Sequence, residues 1–359
     1  MKKKVLIISS AIIAIIILVI ISTIIWYNSS LKSVDKQEKA NKVTIEIKSG
    51  TSTSAIISKL KNNKLIRSEL ATKIYVKYND IRNLQAGTYD LNSNMTTQEI
   101  IKNITSGNVV NNEVNITFLE GKNMRWIASK IEEETNNSKE DVYNLLKDEE
   151  YIDSLIEKYW FIEKDIKNED IYYPLEGYLY PDTYTFESKD VTVKGIFEQL
   201  LNQTDKVLSE YKEKLEKYSI HRVLTIASLV ELEGKNAEDR KGIASVIYNR
   251  ISKKMSIGSD VTTYYGIKVD MGERDLYSSE IDEYNPYNTR GPNMSGKLPV
   301  GPISSVSKSS IEAALNPGKT NYLYFVADAS GKIYFAKDYE GHQKNIRDLK
   351  SRGLWYNYE

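Results

Sequence analysis

The chain has 359 residues, enough for more than one domain with its own core. Lys plus Arg and Asp plus Glu number 49 each, so no general positive field attracts nucleic acid, which we do not expect as a partner. With no cysteine and 2 histidines, the chain excludes disulfides and thiolate sites and leaves few candidates for a zinc site or a Ser-His-Asp triad, so we expect no metal or cofactor.

The N-terminus predicts a membrane anchor. Residues 1–4 contain three lysines, and residues 5–27 form an uncharged apolar run of the length that spans a bilayer as a helix. Trp26 and Tyr27 suit the interface at its far end. A cleaved signal peptide is the alternative, but the run is long for one and no Ala-x-Ala-like site follows it. We expect a cytoplasmic tail, a single-pass anchor in the cytoplasmic membrane, and everything after residue 27 outside that membrane, with an extracytoplasmic catalytic domain.

Residues 28–42 are polar and charged and predict a linker. Residues 43–112 then predict a small α/β module, with a strand from Val43 and a later strand around a turn near Gly87. Thr96 and Glu99 have the spacing of a capping box before a helix. This module contains no acidic cluster or phosphate loop, so we do not expect catalysis there.

Residues 113–359 predict a larger mixed α+β domain, which makes the fold class α+β. Its segment 173–186 is rich in tyrosine and contains two prolines and a glycine, which forbid a long helix. One interpretation is a cleft wall where rings stack on sugars and Glu176 and Asp182 bind hydroxyls. The other is a loop held to the core by its tyrosines.

An apolar helix with two acids at its end is predicted over Leu224–Gly234. An acid among apolar groups resists ionising and can donate its proton, as breaking a glycosidic bond requires. Glu231 and Glu233 both face apolar neighbours, so periodicity does not choose between them. The alternative is an amphipathic helix with two solvated acids.

Asn236 predicts the start of a further helix that ends at Asn249 and Arg250, a pair suited to orienting a carboxylate. The region 258–303 predicts no helix, and strands on both sides of residues 328–331 predict a hairpin. His342 follows; a lone histidine is usually structural, and a place in a cleft is the alternative.

Several of these segments, in order, resemble the endolytic murein transglycosylase family (MltG, YceG-like). The segments that carry the resemblance are Glu176–Tyr184, Leu224–Glu233, Val246–Arg250, Ser259–Gly266, Pro286–Thr289, Leu298–Ile303 and Tyr322–Val326. The anchor and the small module resemble the membrane segment and LysM-like module of that family.

The resemblance implies a membrane-anchored enzyme that cuts nascent peptidoglycan strands internally and leaves 1,6-anhydro-N-acetylmuramic acid ends. By motif position, the single general acid and base falls on Glu231. Gly234 stands where many relatives have a small hydroxyl residue, and Arg290 where they often have an aromatic one. These departures bear on single contacts and not on the acid.

Other residues are expected to bind the glycan. The full set of expected substrate-binding residues is Tyr180, Asp182, Tyr184, Glu233, Asn249, Arg250, Asp260, Tyr265 and Asn288. Expected partners are peptidoglycan strands, the cytoplasmic membrane, and peptidoglycan synthases of the elongation or division machinery. Two alternatives stay open: a non-catalytic wall-binding or divisome scaffold, and a muramidase-type hydrolase.

Overall fold

The computed structural model describes residues 2–35, 41–107 and 113–355 of the chain. Its helices are α1 (Lys2–Ser30), α2 (Thr53–Asn62), α3 (Glu69–Tyr78), α4 (Thr97–Thr105), α5 (Met124–Glu134), α6 (Lys139–Lys147), α7 (Glu149–Lys158), α8 (Val193–Ser209), α9 (Lys212–Leu215), α10 (Ile220–Glu233), α11 (Ala237–Ser252), α12 (Asp260–Gly266), α13 (Ser278–Asp282), α14 (Lys308–Leu315) and α15 (Tyr339–Ser351). A 3-10 turn covers Lys164–Lys167. The strands are β1 (Lys42–Ile47), β2 (Gly87–Asn92), β3 (Val114–Thr117), β4 (Thr183–Phe186), β5 (Tyr324–Ala327) and β6 (Ile333–Ala336).

The strands pair antiparallel in twos: β1 with β2, β3 with β4, and β5 with β6. Helices lie between the partners of the first two pairs, whereas β5 and β6 are joined by a short turn and form the predicted hairpin. Asp328 closes that turn by accepting hydrogen bonds from the backbone N–H groups of Ser330 and Lys332. The mixed α+β class is therefore confirmed.

The chain divides into two compact units, residues 1–112 and 113–359. In the first unit α1 begins within the predicted tail and continues past residue 27. Its segment Ser10–Ser30 is long and apolar enough to cross a membrane. A free linker from residue 28 is wrong for the described part, because α1 continues to Ser30 and Leu31 is buried. Residues 36–40 of that prediction lie outside the described residues.

The module in the first unit has a core of its own, formed by β1, β2 and the inward faces of α2, α3 and α4. Thr96 and Glu99 form the predicted capping box at the start of α4, since each side chain pairs with the backbone of the other. The last residues of the predicted module, 108–112, lie outside the described part.

In the second unit α10 is the central helix. It is apolar on nearly all sides, and residues 223–230 are all buried. A helix that is apolar all round has to be enclosed by protein, and α10 packs against α11, α12 and α14. Its last turn, which carries the two acids, is the part that meets polar groups.

Two segments differ from the sequence-based interpretation. The region 258–303, expected to be non-helical, contains two short helices, α12, which Ser259 precedes, and α13. In the tyrosine-rich segment Tyr178 and Leu179 are fully buried, and Tyr184 lies within β4. The structure therefore favours the loop held to the core over the cleft wall.

Candidate active site

Glu231 and Glu233 point to different sides of α10, because residues two apart on a helix do not face each other. Each therefore has its own set of partners. The two environments decide which of them suits proton transfer.

Glu231 is an ion-paired carboxylate. Its side chain is 4% exposed, and Oε1 lies 2.6 Å from Nη2 of Arg240. Its Oε2 accepts hydrogen bonds from the backbone N–H of Ser307 at 2.8 Å and from Oγ of Ser307 at 2.5 Å. One cation and two hydrogen-bond donors therefore occupy both carboxylate oxygens. The expected apolar surroundings of Glu231 are thus wrong: it is buried, but among polar groups.

Gly234 allows Arg240 to approach Glu231. A Cβ at position 234 would lie 2.7 Å from Cγ of Arg240 and 3.2 Å from its Cα. The guanidinium also donates from Nε to the carbonyl oxygen of Gly234 at 3.2 Å. A larger residue here would require Arg240 to shift.

Glu233 lies on the other side and has a different character. Its carboxylate accepts a hydrogen bond from Oγ of Ser259 at 2.6 Å. Burial raises the pKa of Glu233, and the charge of Asp260 raises it further, while the Ser259 hydrogen bond and Arg290 act in the opposite direction. Burial is the largest of these effects, so Glu233 stays protonated at a higher pH than an ordinary glutamate.

Glu233 also lines a groove of about 620 Å³ in the second unit. This size is within the range of small-molecule and sugar sites. Apolar residues of α10, α11 and β5 line it together with polar and aromatic groups. The polar and aromatic lining residues include Arg250, Ser259, Asp260, Arg290, Tyr324, Tyr339, His342 and Trp355.

Charged residues flank Glu233 within this groove. Asp260 and Arg290 form an ion pair that is about half exposed. Arg250 donates from Nη1 to the carbonyl oxygens of Ser256 and Ile257, so it holds the segment that leads into α12. The groove therefore combines a protonatable acid with fixed charges.

The aromatic side of the groove contains His342. Its ring stacks on Tyr324 with the centroids 5.3 Å apart, and the Arg250 guanidinium lies 4.8 Å from the centroid of the same tyrosine. Burial, and secondarily Arg250, lowers the pKa of His342, which favours a neutral ring. This arrangement places His342 in the cleft, the alternative considered for it.

Three of the expected substrate-binding residues line the groove: Glu233, Arg250 and Asp260. Tyr180, Asp182 and Tyr184 do not. They belong to the segment around β4, where the Tyr184 hydroxyl donates to the carbonyl oxygen of Tyr180 and a carboxylate oxygen of Asp182 accepts from the N–H of Thr183.

Asn249, Tyr265 and Asn288 also lie outside the groove, and their polar atoms are used within the protein. The Asn249 amide donates to two carbonyl oxygens before β5, at 3.0 and 2.9 Å. The fully buried Asn288 donates to three carbonyl oxygens around α13. Tyr265 donates to buried Glu176 at 2.9 Å. These residues fix loops, and their contact with glycan stays a prediction.

Glu176, which the cleft-wall interpretation assigns to a sugar hydroxyl, is 1% exposed. It accepts hydrogen bonds from the N–H of Met124 and from Tyr265, and burial raises its pKa to about 7. It therefore belongs to the interior of the second unit.

Sequence reasoning missed Arg240, Ser307 and Ser259 as partners of the two acids. Arg240 and Ser307 lie 9 and 76 positions from Glu231, and no local pattern marks them. Ser259 could have been found from the sequence, because it directly precedes Asp260, which was expected to bind the substrate.

Among the described residues, no group of three or more His, Cys, Asp or Glu side chains could hold a metal ion.

Known proteins are similar to most of the chain. The sequence model of the YceG-like family matches residues 45–348. An endolytic murein transglycosylase of Bacillus subtilis (strain 168) is 41% identical over 325 residues, which covers 89% of this chain and 88% of that protein.

Two further similarities agree. An endolytic murein transglycosylase of Streptococcus pneumoniae (strain D39) is 32% identical over 339 residues, and the chain spans 60% of that longer protein. The crystal structure of a YceG-like protein from Listeria monocytogenes matches with a TM-score of 0.61 at 38% identity, covering 86% of this chain and all of that one.

Proposed function

Since the chain belongs to the YceG-like family, we propose that it is a lytic transglycosylase that cleaves the glycan strands of peptidoglycan internally. The names of its relatives support this reaction and substrate. The observation that carries the mechanism is a carboxyl group with a raised pKa in a groove of suitable size.

We assign the general acid to Glu233 and not to Glu231. The donor must be protonated before the reaction and must reach the substrate. Glu233 lines the groove and has one hydroxyl as its hydrogen-bond partner. Glu231 is held by Arg240 and Ser307 and is not among the residues that line the groove. The partners of Glu233 and its place in the groove thus both assign the general acid to this residue, two positions after the glutamate expected from the sequence.

In the first step, Glu233 gives its proton to the oxygen that bridges N-acetylmuramic acid and N-acetylglucosamine, and the bond to C1 of the muramic acid breaks. In the second, the 6-hydroxyl of the same muramic acid attacks C1 and gives its proton to the Glu233 carboxylate. The product has a 1,6-anhydro end, the acid is regenerated, and no water is consumed. One carboxyl group is sufficient, because the substrate supplies the nucleophile.

The neighbouring charges have supporting roles. The developing charge on the sugar is positive, so the negative Asp260 at the groove favours it. Arg290 pairs with Asp260 and fixes its position. A stacking surface for sugar rings is provided by Trp355.

We further propose that α1 anchors the enzyme in the cytoplasmic membrane, with the N-terminal lysines inside and the residues after α1 outside. The apolar segment Ser10–Ser30 supports this location. A LysM-like character of the module stays a prediction, as does the association with peptidoglycan synthases.

The experiment is muropeptide mass spectrometry after incubating the purified full-length protein with isolated glycan strands. We expect anhydro ends; reducing ends would indicate a hydrolase, and no cleavage a scaffold. Glu233→Gln should lower the rate about 10²- to 10⁴-fold, the usual contribution of a general acid, with unchanged thermal unfolding.

Glu231→Gln is the matched variant. It leaves Arg240 buried without its carboxylate, so we expect a loss of about 3 kcal/mol in unfolding free energy. The double variant Glu231→Gln, Arg240→Gln removes both charges and should recover most of the stability and activity. A stable but inactive double variant, together with an active Glu233→Gln, would return the acid to Glu231.

A further inference from the structure

An unusual apolar surface lies on α3 of the first unit. Leu70, Ile74 and Tyr78 are 61%, 43% and 86% exposed, and their spacing of four places them on one side of the helix. We call these three residues the α3 stripe. The opposite side of α3 is buried in the module core through Ala71 and Val76. The helix thus has two apolar sides, and the module covers one of them.

Both ends of α3 lie beside the outer end of α1. Just before α3, Arg67 lines a cavity together with Ile25 and Trp26, and its Nε donates to the carbonyl oxygen of Ser33 at 2.7 Å. At the other end, Tyr78 lies close enough to Tyr27 for their hydroxyls to interact electrostatically. The stripe therefore passes the turns of α1 where a spanning helix would leave the hydrocarbon.

This arrangement is fixed by further contacts. Leu31, directly after α1, is 4% exposed, and its carbonyl oxygen accepts a hydrogen bond from the N–H of Thr97 at 3.0 Å. The module is thus attached to the end of α1 through a buried residue, and α3 keeps its position beside that end.

Basic residues accompany the stripe. Arg67, Lys73 and Lys77 lie next to it in the sequence, and Lys73 has one weak ion pair, with Glu69 at 3.5 Å. Long basic side chains that flank an apolar stripe are typical of helices in the membrane interface, where their charges meet lipid phosphates.

We propose that α3 lies in the outer surface of the membrane that α1 spans. The α3 stripe enters the headgroup region, and Arg67, Lys73 and Lys77 bind the phosphates of anionic phospholipids. This inference rests on the proposed anchoring by α1. It gives the small module a second attachment to the bilayer, so the module lies on the membrane and does not extend from it.

The absence of cysteine from the chain gives a clean test by single-site labelling. The full-length Ile74→Cys protein, labelled with a fluorophore, is reconstituted in nanodiscs of phosphatidylcholine and phosphatidylglycerol. Phospholipid carrying a nitroxide in the headgroup region reports contact with lipid, and iodide reports contact with water. We expect loss of fluorescence with the nitroxide lipid and little effect of iodide. A label at Glu238→Cys, an 88% exposed site in the second unit, should respond mainly to iodide.

Matched variants in the Ile74→Cys background separate the contributions. Leu70→Glu with Tyr78→Glu should abolish quenching by the nitroxide lipid. Tyr277→Glu with Tyr284→Glu, at exposed tyrosines of the second unit, should leave it unchanged. Lys73→Gln with Lys77→Gln should weaken it, as should discs without phosphatidylglycerol.

Strong iodide quenching at position 74 would overturn the proposal, and so would a label protected from both quenchers, which would mean that protein covers the stripe. Equal lipid quenching with and without anionic lipid would overturn the role of the basic residues. Elution of the protein with the discs tests anchoring by α1, and release of anhydro ends tests the proposed enzyme activity. Both are measured independently of the fluorophore at position 74, so their failure can be told apart from failure of this proposal.

Discussion

Glu231 and Glu233 have the same side chain and are separated by one residue, yet their partners differ. One faces Arg240 at 2.6 Å and the other a serine hydroxyl at the same distance. Burial raises the pKa of Glu233, whereas Glu231 is held in an ion pair, so the surroundings of each acid are set by which side of α10 it lies on.

A pH profile should reveal the neighbours of Glu233. The charge of Asp260 raises the pKa of Glu233, so Asp260→Asn removes that effect and lowers it. Activity depends on the protonated acid, hence we expect the alkaline limb of the kcat/KM profile to move to lower pH. The measurement is the rate of anhydro-end formation across pH.

Arg290→Gln is the opposite control. Arg290 lowers the pKa of Glu233, so its removal should move the alkaline limb to higher pH. Shifts in the same direction for both variants, or a profile that neither variant moves, would contradict Glu233 as the titrating acid.

At the scale of elements, the close packing of α11 against the β5–β6 hairpin shapes the groove. Gly242 on α11 faces the ring of Phe335, and a Cβ there would lie 2.3 Å from the nearest ring atom. That ring stacks on Tyr322 at 5.2 Å between centroids, which limits its freedom to move away.

Gly242→Ala should therefore destabilise the protein. Helix propensity favours alanine by about 1 kcal/mol. Overpacking against a held ring costs about 1–3 kcal/mol, so we expect a net loss of about 1 kcal/mol in unfolding free energy. Urea unfolding measures it, and Lys241→Ala, at an adjacent and more exposed position, should change stability by less than about 0.5 kcal/mol. A Gly242→Ala protein more stable than the parent would show that the hairpin shifts freely.

At the scale of the whole molecule, Glu176 links α5 to α12 inside the second unit. Burial raises its pKa to about 7 from 4.5, so the folded state binds this proton more tightly than the unfolded state does. Between these two pH values the unfolded state ionises first and stability falls as pH rises. The loss is complete above about pH 7 and amounts to about 3 kcal/mol, at about 1.4 kcal/mol for each unit of pKa.

Glu176→Gln should remove this dependence. The amide oxygen can accept the hydrogen bonds from Met124 and Tyr265, and it does not ionise. Urea unfolding at pH 5 and pH 8 should show that the variant gains most relative to the parent at pH 8. Glu169→Gln, at an exposed position, serves as control and should have the stability of the parent at both pH 5 and pH 8. If Glu176→Gln showed the same pH dependence as this control, Glu176 would not be the source of the effect.

The sequence alone determined the features that depend on local pattern. The apolar run that became α1, the capping box at Thr96, the buried helix α10 and the β5–β6 hairpin follow from spacing and turn residues, and all are present. The family also followed from motifs in order. Such signals are short-range, and a single chain displays them directly.

Tertiary structure decided the chemistry of the site. The partners of Glu231 and Glu233 come from α11, α12 and the start of α14, segments that meet only after folding. The same is true of Asn249, Tyr265 and Asn288, polar residues whose hydrogen bonds are taken by distant carbonyl and carboxylate oxygens. Periodicity gives the face of a helix but not what lies against it. Because charge and burial around a carboxyl group depend on those long-range neighbours, only the folded chain separates the acid in the groove from the one in the ion pair.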